Sequence, residues 1–69
     1  MNIVLETGSK APIYKQLVEQ FEDAIRSGKL QPGEQIPSMN DFAVQLGISK
    51  ETVKKTYGIL REKGLLILQ

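Results

Sequence analysis

The chain of 69 residues is long enough for one small domain, near the lower limit at which packing alone holds a fold. It contains neither Cys nor His, which excludes disulfides, most metal sites and the commonest nucleophile and base pairings. Its net charge of +1 by itself neither favours nor opposes a polyanionic partner.

Residues 3–5, Ile3-Val4-Leu5, form a short β-branched and apolar segment able to add a strand or pack on the body. Thr7-Gly8-Ser9-Lys10 follows as a flexible link. Pro12 then stands where proline is tolerated, at the first position of a helix. Ile13, Leu17, Phe21, Ala24 and Ile25 recur at helical spacing, with Lys15, Glu19, Glu22, Asp23 and Arg26 on the other side, so an amphipathic helix is expected here. Gly28 is its stop, and Pro32-Gly33 makes a turn flanked by the apolar anchors Leu30 and Ile36, with room for one bridge of strand.

Pro37 disfavours helix at Ile36. Ser38 opens a second helix, with Asp41 three residues on as an imperfect capping box, and Phe42, Ala43 and Leu46 as its buried side. Gly47 can take the left-handed conformation that ends this helix, Ile48 fills the gap in the turn, and Ser49 caps the next helix. In that third helix, residues 49–63, Val53, Tyr57 and Leu60 make an apolar stripe, while Glu51, Lys54, Lys55 and Gly58 face away. Gly64 closes it, and Leu65-Leu66-Ile67-Leu68 reads as a strand in need of a partner, from residues 3–5 or the loop near Leu30. No apolar run approaches a membrane span and no secretory signal is evident, so the expectation is a cytoplasmic protein with no membrane partner.

Charge is distributed unevenly. Up to Ile48 there are four basic and six acidic side chains; from Ser49 onward there are five basic and two acidic. The excess is concentrated on the third helix, a pattern that marks a polyanion-binding face or a solvated, lysine-rich surface. Three helices with a tight turn before a basic third one describe a helix-turn-helix whose last helix enters the major groove of DNA.

The residues also carry a resemblance. Pro12-Ile13-Tyr14-x-Gln16-Leu17, then Ser27-Gly28-Lys29-Leu30-x-Pro32-Gly33-x-x-Ile36-Pro37-Ser38, then Phe42-Ala43-x-x-Leu46-Gly47-Ile48-Ser49-x-x-Thr52-Val53, and finally Tyr57-x-x-Leu60-x-x-Lys63-Gly64-Leu65-Leu66 run in the order of a known domain. The chain resembles the N-terminal DNA-binding domain of the GntR family of bacterial transcription regulators, and within it the small YtrA-like branch. The resemblance implies a mainly α fold with a small β wing, a winged helix-turn-helix formed by residues 1–69 as a single domain with the β-hairpin incomplete and any effector or dimerisation region absent. It implies a sequence-specific regulator, of repressor type, with a double-stranded DNA operator as partner and a homodimer in the full-length protein.

The DNA-binding positions it implies are Ser38, Asn40, Ser49, Lys50, Glu51, Thr52, Lys54 and Lys55, Lys55 being expected to project furthest from the core. Ser38 and its helix N-terminus can hold a phosphate. Asn40 stands where many members carry an arginine, and Glu51 can accept from a cytosine amino group or face water. No catalytic residue, metal or cofactor is expected. The alternatives are a winged-helix module that docks proteins without binding DNA, an apolar tail exchanged between chains, and a small enzyme or ligand carrier, for which no nucleophile with a base is present.

Overall fold

Helical periodicity and capping signals convert into three helices, α1 Ile13–Arg26, α2 Met39–Leu46 and α3 Lys50–Glu62. The protein's structure is a computed structural model that describes residues 3–31 and 36–65. The expected Pro32-Gly33 turn, the strand residues Leu66, Ile67 and Leu68, and any wing built from them lie outside the described residues. Among the described residues there is no strand, including the bridge expected near Leu30 and any strand at residues 3–5.

Pro12 is the residue preceding α1 rather than its first turn, one position from the expectation. Its carbonyl accepts from the N–H groups of Lys15 and Gln16 at 3.1 and 3.2 Å, so it still opens the helix. Ser38 caps α2 by accepting from the Asp41 N–H at 3.1 Å, and Ser49 caps α3 by accepting from the Thr52 N–H at 3.1 Å. Between them Gly47 sits at φ 66°. There the Ile48 N–H reaches back to the Ala43 carbonyl and the Gly47 N–H to that of Val44, which satisfies two carbonyls that a helix end leaves free. Gly64 at φ 71° repeats this device at the end of α3, with the Leu65 N–H bonded to the Leu60 carbonyl.

The core is where the three apolar stripes meet. Leu17, Val18, Phe21 and Ala24 of α1, Phe42 and Ala43 of α2, and Val53, Tyr57 and Leu60 of α3 are buried, together with Leu30 from the loop. Each helix contributes one ring. Phe21 meets Phe42 edge-on at 5.8 Å and Tyr57 edge-on at 6.2 Å, while Phe42 and Tyr57 stack at 5.8 Å, the offset and edge geometries that aromatic quadrupoles favour. Buried Thr56 satisfies its hydroxyl by donating to the Thr52 carbonyl at 2.9 Å. The Tyr57 hydroxyl donates to the Pro37 carbonyl at 3.0 Å, tying α3 to the residue that precedes the α2 cap.

Among the described residues, the stretch 3–6 pairs with no strand. Instead, the side-chain amide of Gln20 accepts from the Val4 N–H and donates to the Val4 carbonyl, at 2.9 and 2.6 Å. Gln16 does the same for Glu6, at 2.9 and 3.1 Å, and also donates to the Ala11 carbonyl. The match is geometric: four residues of helix rise about 6 Å, and two residues of extended chain advance about 6.6 Å. Two glutamines one turn apart therefore substitute for a neighbouring strand. Ile3 and Leu5, which alternate with Val4 and Glu6, turn onto the core.

Burial pushes the Tyr57 pKa from 10.0 up to about 12. The folded state thus holds a proton that the unfolded chain releases, and the stability this represents is complete below about pH 10 and lost as pH rises towards about 12. Tyr57→Phe should remove that part of the alkaline slope and lower neutral-pH stability by about 1 kcal/mol, the net worth of one hydrogen bond; urea unfolding across the alkaline range measures both. Two glycines should respond with opposite signs in the same assay. A Cβ at Gly47 meets nothing within 4 Å, so Gly47→Ala should cost about 1 kcal/mol from its left-handed backbone alone. Gly58, inside α3 and equally unobstructed, should stabilise by about 0.5–1 kcal/mol when replaced by alanine.

Candidate nucleic-acid interface

The candidate face is the start of α3. Its position follows from what the helix buries: Val53 and Leu60 are fully buried and Tyr57 nearly so, which leaves Lys50, Glu51, Lys54 and Lys55 exposed. Lys50 and Lys54 lie four residues apart and so share one helical face. Neither has an ion pair among the described residues, where the only two pairs are Arg26 with Asp23 and Lys63 with Glu22.

Ser49 and Thr52 form a tight polar pair. Besides the cap, their hydroxyl oxygens lie 2.7 Å apart and share one hydrogen. Whichever of the two donates, the other O–H stays available to an outside acceptor. The pair therefore stabilises the first turn and keeps one hydroxyl donor free.

Ser38 and Asn40 are also exposed, but they stand at the start of α2, a separate helix N-terminus. The Ser38 oxygen is engaged by the Asp41 N–H, and its own O–H remains a donor. Glu51 is exposed in the first turn of α3, where a carboxylate interacts favourably with the helix dipole.

Two basic residues are placed differently from the expectation. Lys55 is exposed, yet its ammonium does not project freely: it lies over the Tyr14 ring at 4.1 Å from the centroid. Lys63, counted with the basic helix, bonds to Glu22 of α1 at 3.1 Å, and this pair fastens α3 to α1 rather than adding free charge to the face. Sequence reasoning named Glu22 on the polar side of the first helix and Tyr14 in its opening motif, but assigned neither to a lysine. Tyr14 follows Ile13 and falls beside the buried stripe of α1, and an aromatic at that margin was the available signal. A cleft of about 380 Å³ opens between Pro12, Ile13 and Tyr14 of the first segment and Glu51, Thr52 and Lys55 of α3. Among the described residues, no group of three or more acidic, His or Cys side chains is placed to hold a metal ion, and no helix is long and apolar enough to cross a membrane.

Comparison with known proteins places this arrangement. The structure superposes on YtrA from Sulfolobus acidocaldarius, a GntR-family transcription factor, with a TM-score of 0.90 and 39% identity, covering 97% of this chain and 71% of that one. In sequence, the chain is 43% identical over 58 residues to the HTH-type transcriptional repressor NagR of Bacillus subtilis, covering 84% of this chain and 24% of the repressor. It is 30% identical over 64 residues to the HTH-type transcriptional repressor YtrA of the same organism, covering 93% of this chain and 49% of that one. The chain thus spans a quarter to a half of the length of these two curated relatives. Three helices in the order α1–α2–α3, with the capped turn at Gly47 to Ser49, are the helix-turn-helix of that fold. Residues 13–69 match the group described as "Bacterial regulatory proteins, gntR family", and the chain belongs to that family.

Proposed function

We propose that this chain is the DNA-binding domain of a transcription regulator of repressor type, with α3 as the helix that enters the major groove. The observation that carries the reading is the start of α3: Lys50 and Lys54 exposed and unpaired among the described residues, on a helix whose opposite side is buried. Names of relatives support it, since NagR and YtrA are both described as repressors. All the matched relatives named above are regulators, which argues for binding in place of catalysis.

In this reading Lys50, Lys54 and Lys55 neutralise phosphates, and the hydroxyls of Ser38 and of the Ser49–Thr52 pair donate to phosphate oxygens. Glu51 and Asn40 are the candidates for base edges, through acceptance from a cytosine amino group and bidentate amide pairing respectively. The 69-residue chain acts as one winged-helix unit. The operator is two-fold symmetric and is bound by a homodimer of the full-length protein, since a single recognition helix reads one half-site and avidity comes from the second. The protein works in the cytoplasm.

Titration with random-sequence duplex at several salt concentrations tests this. Each phosphate contact adds about 0.9 to the slope of log K against log salt, so Lys50→Ala combined with Lys54→Ala should lower the slope by about 2 and weaken binding about tenfold or more near 0.1 M salt. Equal slopes for parent and variant would make the lysines surface decoration. A parent with no salt dependence at all would favour a protein-docking module.

A further inference from the structure

Lys55 has two available partners, and the one it takes is informative. Glu51 lies four residues earlier on the same helix, the spacing of an ordinary helical ion pair, yet the two ion pairs among the described residues involve neither residue. The ammonium instead lies 4.1 Å from the centroid of the Tyr14 ring, well within the range at which the ring quadrupole attracts a cation. The two partners differ in consequence. A carboxylate would cancel the charge and would have to be displaced when a phosphate arrived, whereas a ring holds the ammonium and leaves its charge and outward donors in place. The Tyr14 hydroxyl makes no hydrogen bond among the described residues, so the ring alone is engaged.

We propose that Tyr14 is a positioning residue of the interface: its ring seats the Lys55 ammonium in the cleft that both residues line between α1 and α3, as a pre-oriented, un-neutralised charge for a DNA phosphate. The proposal rests on the reading of α3 as the DNA-facing helix. Two further features agree with it. The seat is on a different helix from the lysine, so it fixes the ammonium relative to the body of the domain and not merely along α3. The same cleft is lined by the Thr52 side chain and by Glu51, so a phosphate taken there meets the ammonium beside a hydroxyl and has to stand clear of one carboxylate. A lysine already ordered loses less rotamer freedom on contact than one that is free.

The experiment measures duplex binding against salt for the parent, Tyr14→Phe, Tyr14→Leu, Lys55→Ala, the Tyr14→Leu and Lys55→Ala combination, and Lys54→Ala, with thermal unfolding run alongside. Tyr14→Phe keeps the ring and should leave Kd unchanged. Tyr14→Leu should raise Kd about two- to fivefold, the span of an exposed cation–π contact, with the salt slope unaltered because Lys55 still reaches the phosphate. Lys55→Ala should lower the slope by about 0.9, and adding Tyr14→Leu to it should cost nothing further. Tyr14→Phe as weak as Tyr14→Leu would assign the effect to the hydroxyl and overturn the proposal. So would a Tyr14→Leu penalty of the same size with and without Lys55, which is what a merely structural role predicts. A salt-independent parent, or Lys54→Ala without effect, overturns instead the reading of α3 on which the proposal rests.

Discussion

Phe21, Phe42 and Tyr57, one ring from each helix, meet in mutual contact at the centre of the domain, and the direction in which α3 faces follows from that meeting. With Tyr57 committed to the ring cluster, Val53 a turn before it and Leu60 a turn after it are carried into the core, and the lysines between them are carried out. Each large apolar side chain so buried contributes about 1.5–3 kcal/mol, a large share of the stability of a domain this small. The Tyr57 hydroxyl adds a directional element, because its bond to the Pro37 carbonyl fixes α3 against the entrance of α2 in a way that apolar packing alone does not.

The two capped helix starts and the glycine between them form the second constraint. Ser38 and Ser49 each accept from the N–H three residues on, while Gly47 ends α2 in the left-handed conformation. The turn is therefore set by backbone hydrogen bonding, and Ile48 covers its inner side against the core. Because the angle between α2 and α3 is held by these short-range bonds and by the stacked pair Phe42 and Tyr57, the exposed start of α3 is presented on a rigid base. That rigidity is what a surface for binding requires of its scaffold.

Much of this was legible from the residues themselves, and the parts that were not have physical causes. The caps, the left-handed glycine and the stripe of Val53, Tyr57 and Leu60 are local, written into spacings of three and four. Val18 and Thr56 were not singled out as core because each widens a stripe already accounted for, and burying Thr56 depends on its hydroxyl finding an acceptor, here the carbonyl four residues back. The pairings of Lys63 with Glu22 and of Lys55 with Tyr14 join α3 to α1 across 41 residues in each case, and charge counted along one helix cannot reveal which of its cations another helix has taken. The glutamine clamp was invisible for a similar reason. Glutamine on a helix surface is ordinarily solvated, and its use as a strand substitute depends on which extended segment lies beside it.

That clamp gives the amino-terminal arm a reading frame. In the stretch of residues 3–6, alternate peptide groups are engaged by Gln20 and Gln16, and the intervening side chains Ile3 and Leu5 are packed inward. Moving this stretch by one position would offer the amides the peptide groups of Ile3 and Leu5, and would turn their side chains out to water while Val4 and Glu6 turned in. The arm consequently discriminates by parity: it can exchange one apolar side chain for another at small cost, but a single-residue insertion inside residues 4–6 changes its inner face from apolar to mixed and charged.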